Sequence, residues 1–106
     1  MTNSLQKDLS LLLSSLRNQK EADRLLSDLL SPAEIQNIAE RWFIMQQIAA
    51  GHSHRAIAKS VGTSIAKVSR CAKVVRYGNG AIVEYLKKLG KPMKIPKGKR
   101  GRMLME

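Results

Sequence analysis

An all-α fold built around a helix-turn-helix is what the sequence predicts, on three observations. Apolar residues recur at three- and four-residue spacing, the period of a helix face. Only four of the 106 residues are aromatic, and the alternating β-branched runs of half-buried strands are absent. Residues 54–73, HRAIAKSVGTSIAKVSRCAK, read as two short helices hinged at a glycine.

Leu5, Leu9, Leu12, Leu13 and Leu16 define an amphipathic first helix over about residues 4–18. Leu25, Leu26, Leu29 and Leu30 define a second, shorter one. Between them Asn18, Gln19, Lys20 and Glu21 fit either a turn or an exposed helix face. Ser31-Pro32-Ala33-Glu34 is a helix start: Ser31 can cap, Pro32 suits the first helical position, and Glu34 can close a capping box. The third helix then extends to about residue 50, with Ile35, Ile38, Ala39, Trp42, Met45, Ile48 and Ala49 expected to be buried, and Gly51 ends it.

Ser53 offers a cap to a helix carrying Ile57, Ala58 and Val61. Ala58 is expected to face the next helix, where a larger side chain would push the pair apart. Gly62 can take the positive φ of a tight turn, and Thr63-Ser64 offers the following cap. The second helix of the pair should turn Ile65, Val68 and Cys71 inward, leaving Lys67, Ser69, Arg70 and Lys73 on other faces. Gly78-Asn79-Gly80 breaks the chain before a last helix, residues 81–89, carrying Ile82, Val83, Leu86 and Leu89. From Gly90 the composition shifts to Lys, Arg, Gly and Pro, too poor in apolar surface to order itself. The expected organisation is dimerisation helices over 1–30, a helix-turn-helix core over 31–89 and a disordered basic tail over 90–106.

The net charge of +11 is unevenly spread: residues 1–40 sum to −2, residues 41–80 to +7 and residues 81–106 to +6. The middle window holds seven basic side chains and no carboxylate, an electrostatic footprint for a polyanion. An anionic membrane fits less well, because no exposed stripe of Trp, Phe and Leu accompanies the charge. A single cysteine excludes an internal disulfide, and neither a signal peptide nor a bilayer-length apolar run is visible. A cytoplasmic protein is expected, associated with the nucleoid if it binds DNA.

No enzyme is expected. The chain lacks a Gly-rich phosphate loop, an oriented Ser/His/acid set and a metal-ligand cluster. His52 and His54 have no third ligand in sequence, so no metal is expected and both read as surface histidines near DNA. Cys71 reads as a small buried apolar residue and Trp42 as core.

LLSPAEIQNIAERW at 29–42 and SHRAIAKSVGTSIAKVSR at 53–70 resemble the bacterial Trp repressor family. The likeness runs over about residues 29–77, and the RYG at Arg76–Gly78 is closest to its YerC/YecD-like branch. The resemblance implies an intertwined all-α homodimer on double-stranded operator DNA, with a recognition helix in the major groove. That family already serves as a standard example of helix-turn-helix docking and water-mediated base contact. It also implies that Ile65, Ala66, Lys67 and Ser69 meet base edges, Lys67 donating to guanine and Ile65 or Ala66 touching a thymine methyl. Arg55, Lys59 and Lys73 are expected on phosphates, and Ser64 and Arg70 complete the DNA-binding set.

Tryptophan-binding members hold the ligand between two arginines beside a Ser/Thr, positions occupied here by Arg41, Arg70 and Ser31. Cys71 stands where those repressors have a glycine that makes room for the indole, and Val74 replaces a serine that receives the ammonium. A buried ammonium without a partner is costly, so no tryptophan corepressor and no other cofactor is expected.

Alternatives stay open from the residues alone. For the N-terminal leucines two readings stand: cover by a second copy, or by the chain folding back. Ile65 could be core and the lysines a solvated face, while Arg41 and Arg70 could pair with Glu34 or Glu40. The tail could grip DNA or RNA, or merely solubilise. A transcriptional repressor is the leading reading; an architectural, replication or mobile-element DNA-binding protein, or a helical interaction protein, are the rivals.

Overall fold

The computed structural model describes residues 2–94, apart from the side chain of Thr2. The described residues form six α-helices and no strand. They fall into two compact units, Met1–Gln36 and the chain from Asn37 onward.

In the first unit, α1 spans Thr2–Ser14 and α2 spans Gln19–Leu29. The first helix stops earlier than the expected residue 18, for two local reasons. The Ser14 and Ser15 hydroxyls donate back to the Leu11 and Leu12 carbonyls at 2.8 and 2.6 Å, a side-chain bond that competes with helix propagation. Asn18 is already committed to α2: its side chain accepts the Glu21 N–H at 2.9 Å. Glu21 in turn receives the Arg17 N–H at 2.9 Å and its guanidinium at 3.0 Å. The polar segment is therefore a cap plus the first turn of a helix. Leu5, Leu9, Leu11, Leu12 and Leu13 are all exposed within the single chain, Leu11 most at 68%.

The helix α3, Pro32–Ala49, begins in the first unit and ends in the second. Its capping box is formed: Ser31 Oγ accepts the Glu34 N–H at 3.2 Å, and the Glu34 carboxylate accepts the Ser31 N–H at 2.8 Å. Burial differs from the expected stripe. Ile44, Met45, Ile48 and Ala49 are buried, whereas Ile38 is exposed, Ala39 is exposed and Trp42 is only half-buried. Only the last two turns of α3 meet the core of the second unit, so an apolar stripe along the whole helix overstates what is covered.

That core joins α3 to α4 (His54–Val61), α5 (Ile65–Tyr77) and α6 (Ala81–Lys88). Ile57 and Ala58 of α4 meet Val68, Cys71, Ala72 and Val75 of α5, with Ile82 and Val83 packed against them. Ala58 is 7% exposed, as close packing of the pair requires. Gly62 closes α4 with φ 79° and ψ 38°, and the N–H groups of Gly62 and Thr63 both donate to the Ala58 carbonyl at 2.8 and 3.0 Å. Leu86 of α6 is fully buried, while Leu89, expected on the same face, lies past the helix end and is exposed.

The sequence starts a disordered tail at Gly90, but the described chain goes on to Lys94. The Lys91 N–H donates to the Leu86 carbonyl at 2.9 Å, and the Lys94 N–H donates to the Ala49 carbonyl at 2.6 Å. The remainder of the tail, residues 95–106, lies outside the described residues.

Candidate nucleic-acid interface

Two serine caps set the helix pair. Ser53 Oγ accepts the Ala56 N–H and Ser64 Oγ accepts the Lys67 N–H, both at 3.1 Å. With its start fixed at Ile65, α5 presents three different flanks. Val68, Cys71, Ala72 and Val75 point into the core. Ala66, Arg70 and Lys73 are exposed, as are Arg55 and Lys59 on α4. Ser69 is half-buried, its hydroxyl 3.4 Å from His54 Nδ1, so His54 is part of the α4–α5 contact rather than a surface residue; His52 is exposed.

Ile65 departs from expectation. It lies one turn ahead of Val68, where the first turn of α5 stands clear of the core, and it is 51% exposed. An isoleucine held there on a capped helix start is an exposed apolar side chain on a helix that also exposes Arg70 and Lys73. This suits a base edge carrying a thymine methyl.

The third flank of α5 faces α3. Lys67, Arg70, Cys71 and Val74 line a groove of about 250 Å³ together with Arg41 and Met45. The structure thus brings Arg41 and Arg70 to one groove with the two residues, Cys71 and Val74, that set this chain apart at the corresponding positions. Ser31 belongs to the other unit, its hydroxyl engaged at the start of α3.

The two carboxylates that the alternative reading offers to these arginines bond to other groups. Glu34 closes the capping box, and Glu40 forms an ion pair with Lys67 Nζ, each side chain about a quarter exposed (23% and 24%). Glu40 was nameable from sequence as a partner, but the pairing with a lysine 27 residues away was not. Cys71 shares the groove with Arg41, Lys67 and Arg70. Burial pushes its thiol pKa up, and the Arg41, Lys67 and Arg70 cations oppose that shift. Among the described residues, no group of three or more His, Cys, Asp or Glu side chains could hold a metal. No described helix is long and apolar enough to cross a membrane.

Residues 4–90 match the family model described as Trp repressor protein. Over 67 residues the chain is 33% identical to the uncharacterized protein YerC of Bacillus subtilis, a match covering 63% of this chain and 64% of that relative, slightly under two thirds of its length. Two crystal structures share the fold. One, from Staphylococcus aureus and assigned provisionally as a Trp repressor, superposes with a TM-score of 0.78 at 24% identity, covering 86% of this chain and 91% of that one. The other, a TrpR-like protein from Eubacterium eligens, gives 0.76 at 25% identity, covering 83% and 91%.

Proposed function

The chain belongs to the Trp repressor family, whose members are DNA-binding regulators rather than enzymes, and on that premise we propose that it is a sequence-specific repressor. It acts as a homodimer that docks α5 of each copy in successive major-groove turns of a palindromic operator, roughly 34–36 Å apart. Occupying the operator excludes polymerase and needs no chemistry from the protein.

The observation that carries this reading is the character of the α4–α5 surface. Ile65 is half-exposed at the leading end of a capped helix, and Arg55, Lys59, Arg70 and Lys73 on the same two helices are exposed. No carboxylate occurs anywhere in residues 41–80. Arg55, Lys59 and Lys73 set register on phosphates, and Ser64, Ile65, Ala66, Ser69 and Arg70 meet the groove. Tryptophan does not gate this binding. Val74 offers no acceptor to a ligand ammonium, and Cys71 adds a side chain where the indole would lie.

Selection of bound DNA from a random pool at one fixed salt concentration, with and without a mixture of amino acids, tests the proposal. One enriched palindrome, the same in both arms, is expected. Uniform recovery of all sequences would mark an architectural protein instead, and enrichment only with tryptophan would overturn the ungated reading. Lys59→Ala should weaken selected and random DNA alike and reduce the salt slope by about one.

A further inference from the structure

We propose that Lys67 and Glu40 are positioning residues, a strut between α3 and α5 that sets the angle of the recognition helix, and that Lys67 does not read bases. The proposal deepens the DNA-binding reading and rests on it.

Three observations converge. The Lys67 ammonium is ion-paired with the Glu40 carboxylate across 27 residues of sequence, tying the middle of α3 to the first turn of α5. Lys67 lines the groove with Arg41, Met45, Arg70, Cys71 and Val74 and is only partly exposed, while Ala66 and Lys73 on the same helix are exposed. The charge balance at this joint gives Glu40 a second task. Arg41, Lys67 and Arg70 line one groove, and Glu40 is paired with the lysine among them. Three cations gathered at a helix–helix joint repel one another. Without Glu40 the leading turn of α5 is driven off α3, whether or not α5 stays helical.

The strut and the base-reading alternatives give opposite signs. Removing a carboxylate beside a polyanion site should leave binding unchanged or strengthen it if Lys67 is free to read DNA. If Glu40 is half of a strut, Glu40→Gln should instead weaken binding to the selected operator. A loss of about tenfold is expected, since breaking one partner of a partly buried pair strands the other charge. Affinity for random DNA should hold, so the specificity ratio falls over the whole site and not at one base pair. The reversed pair, Glu40→Lys with Lys67→Glu, should restore most of the operator affinity. If position 67 faced DNA, that reversal would set an acid against phosphates and bind worse than either single change.

The experiment measures operator and random-DNA affinity for wild type, Glu40→Gln, Lys67→Gln and the reversed pair, well below each thermal midpoint. A wild-type protein with no preference for the selected sequence would sink the DNA-binding reading itself. A wild type that prefers it, with Glu40→Gln unchanged or tighter, or with Lys67→Gln altering preference at a single position only, would overturn the strut alone. If the reversed pair unfolds, the Glu40→Gln result still decides the sign.

Discussion

Cys71 shows how one side chain reports on its surroundings. It is 6% exposed, and burial raises its thiol pKa against three nearby cations. The unfolded chain therefore ionises its thiol first, and above the ordinary thiol pKa the folded state binds more protons than the unfolded one. Stability is full below that value and declines as pH rises through the raised one. Thermal midpoints between pH 7 and pH 10 should fall more steeply for wild type than for Cys71→Ala, and thiol reagents should label native protein slowly; parallel midpoint curves would contradict the shift. Residue-scale features of this kind were unequally legible in the sequence. Ser31, Ser53 and Ser64 each cap a helix as expected, because a cap needs only a hydroxyl three residues before its target. The pairing of Lys67 with Glu40 could not be read, because it depends on where α5 crosses α3. The acid concerned lies one residue outside the carboxylate-free stretch that made the surface look uniformly basic. Ser64→Ala should lower unfolding free energy by about 1 kcal/mol in denaturant titrations and fray the first turn of α5.

Local signals set some elements of this chain, and packing sets others. The α4–turn–α5 unit follows from Ser53, Gly62 and Ser64 alone, and all three act as expected. The buried face of α3 does not follow from its apolar spacing. The period is right over Met45, Ile48 and Ala49, but Ile44 is fully buried and Ile38 is not, because three short helices cover only one end of an 18-residue one. The return of the chain at Lys94 to Ala49 carries no sequence signal at all, since any residue but proline could donate that N–H. Two glycines test the turns at this scale. Gly62 has open space where a Cβ would go, so Gly62→Ala bears only the cost of its positive φ, about 1 kcal/mol. Gly78 is the reverse: its φ of −73° suits any residue, but a Cβ would lie 2.5 Å from the Val74 carbonyl oxygen, a backbone atom. Gly78→Ala must therefore shift the end of α5 and should destabilise the protein more than Gly62→Ala. The reverse order in paired melts would mean that the helix end yields easily.

At the scale of the whole molecule, charge and apolar surface are segregated along the chain, and each end makes a separate demand. Residues 95–106 hold Lys97, Lys99, Arg100 and Arg102, so truncation after Lys94 should flatten the salt dependence of DNA binding. If all four touch phosphates, the slope of log K against log salt should fall by roughly 3 to 4 while sequence preference stays the same. The other end is apolar. Leu5, Leu9, Leu12 and Leu29 line a groove on the first unit, and each is between 39% and 65% exposed in the single chain. A contiguous leucine surface of this kind is not left in water by a well-behaved monomer. In the dimer proposed above, a second copy would meet the demand with the same residues and would also supply the second reading helix that a palindrome needs. The charges at positions 41–80 then act twice on one duplex, and the gain comes from effective concentration rather than from any new DNA contact. Leu9→Glu with Leu12→Glu should reduce the solution mass from twice the chain's 11.8 kDa to that of one chain. Operator affinity should fall by at least about a hundredfold with α4 and α5 untouched, because one half-site is then bound without its tethered neighbour. Light scattering and operator titration on the same samples separate the two effects. A wild type that stays at one chain's mass at micromolar concentration and still binds a palindrome tightly would mean that the leucines have a different occupant.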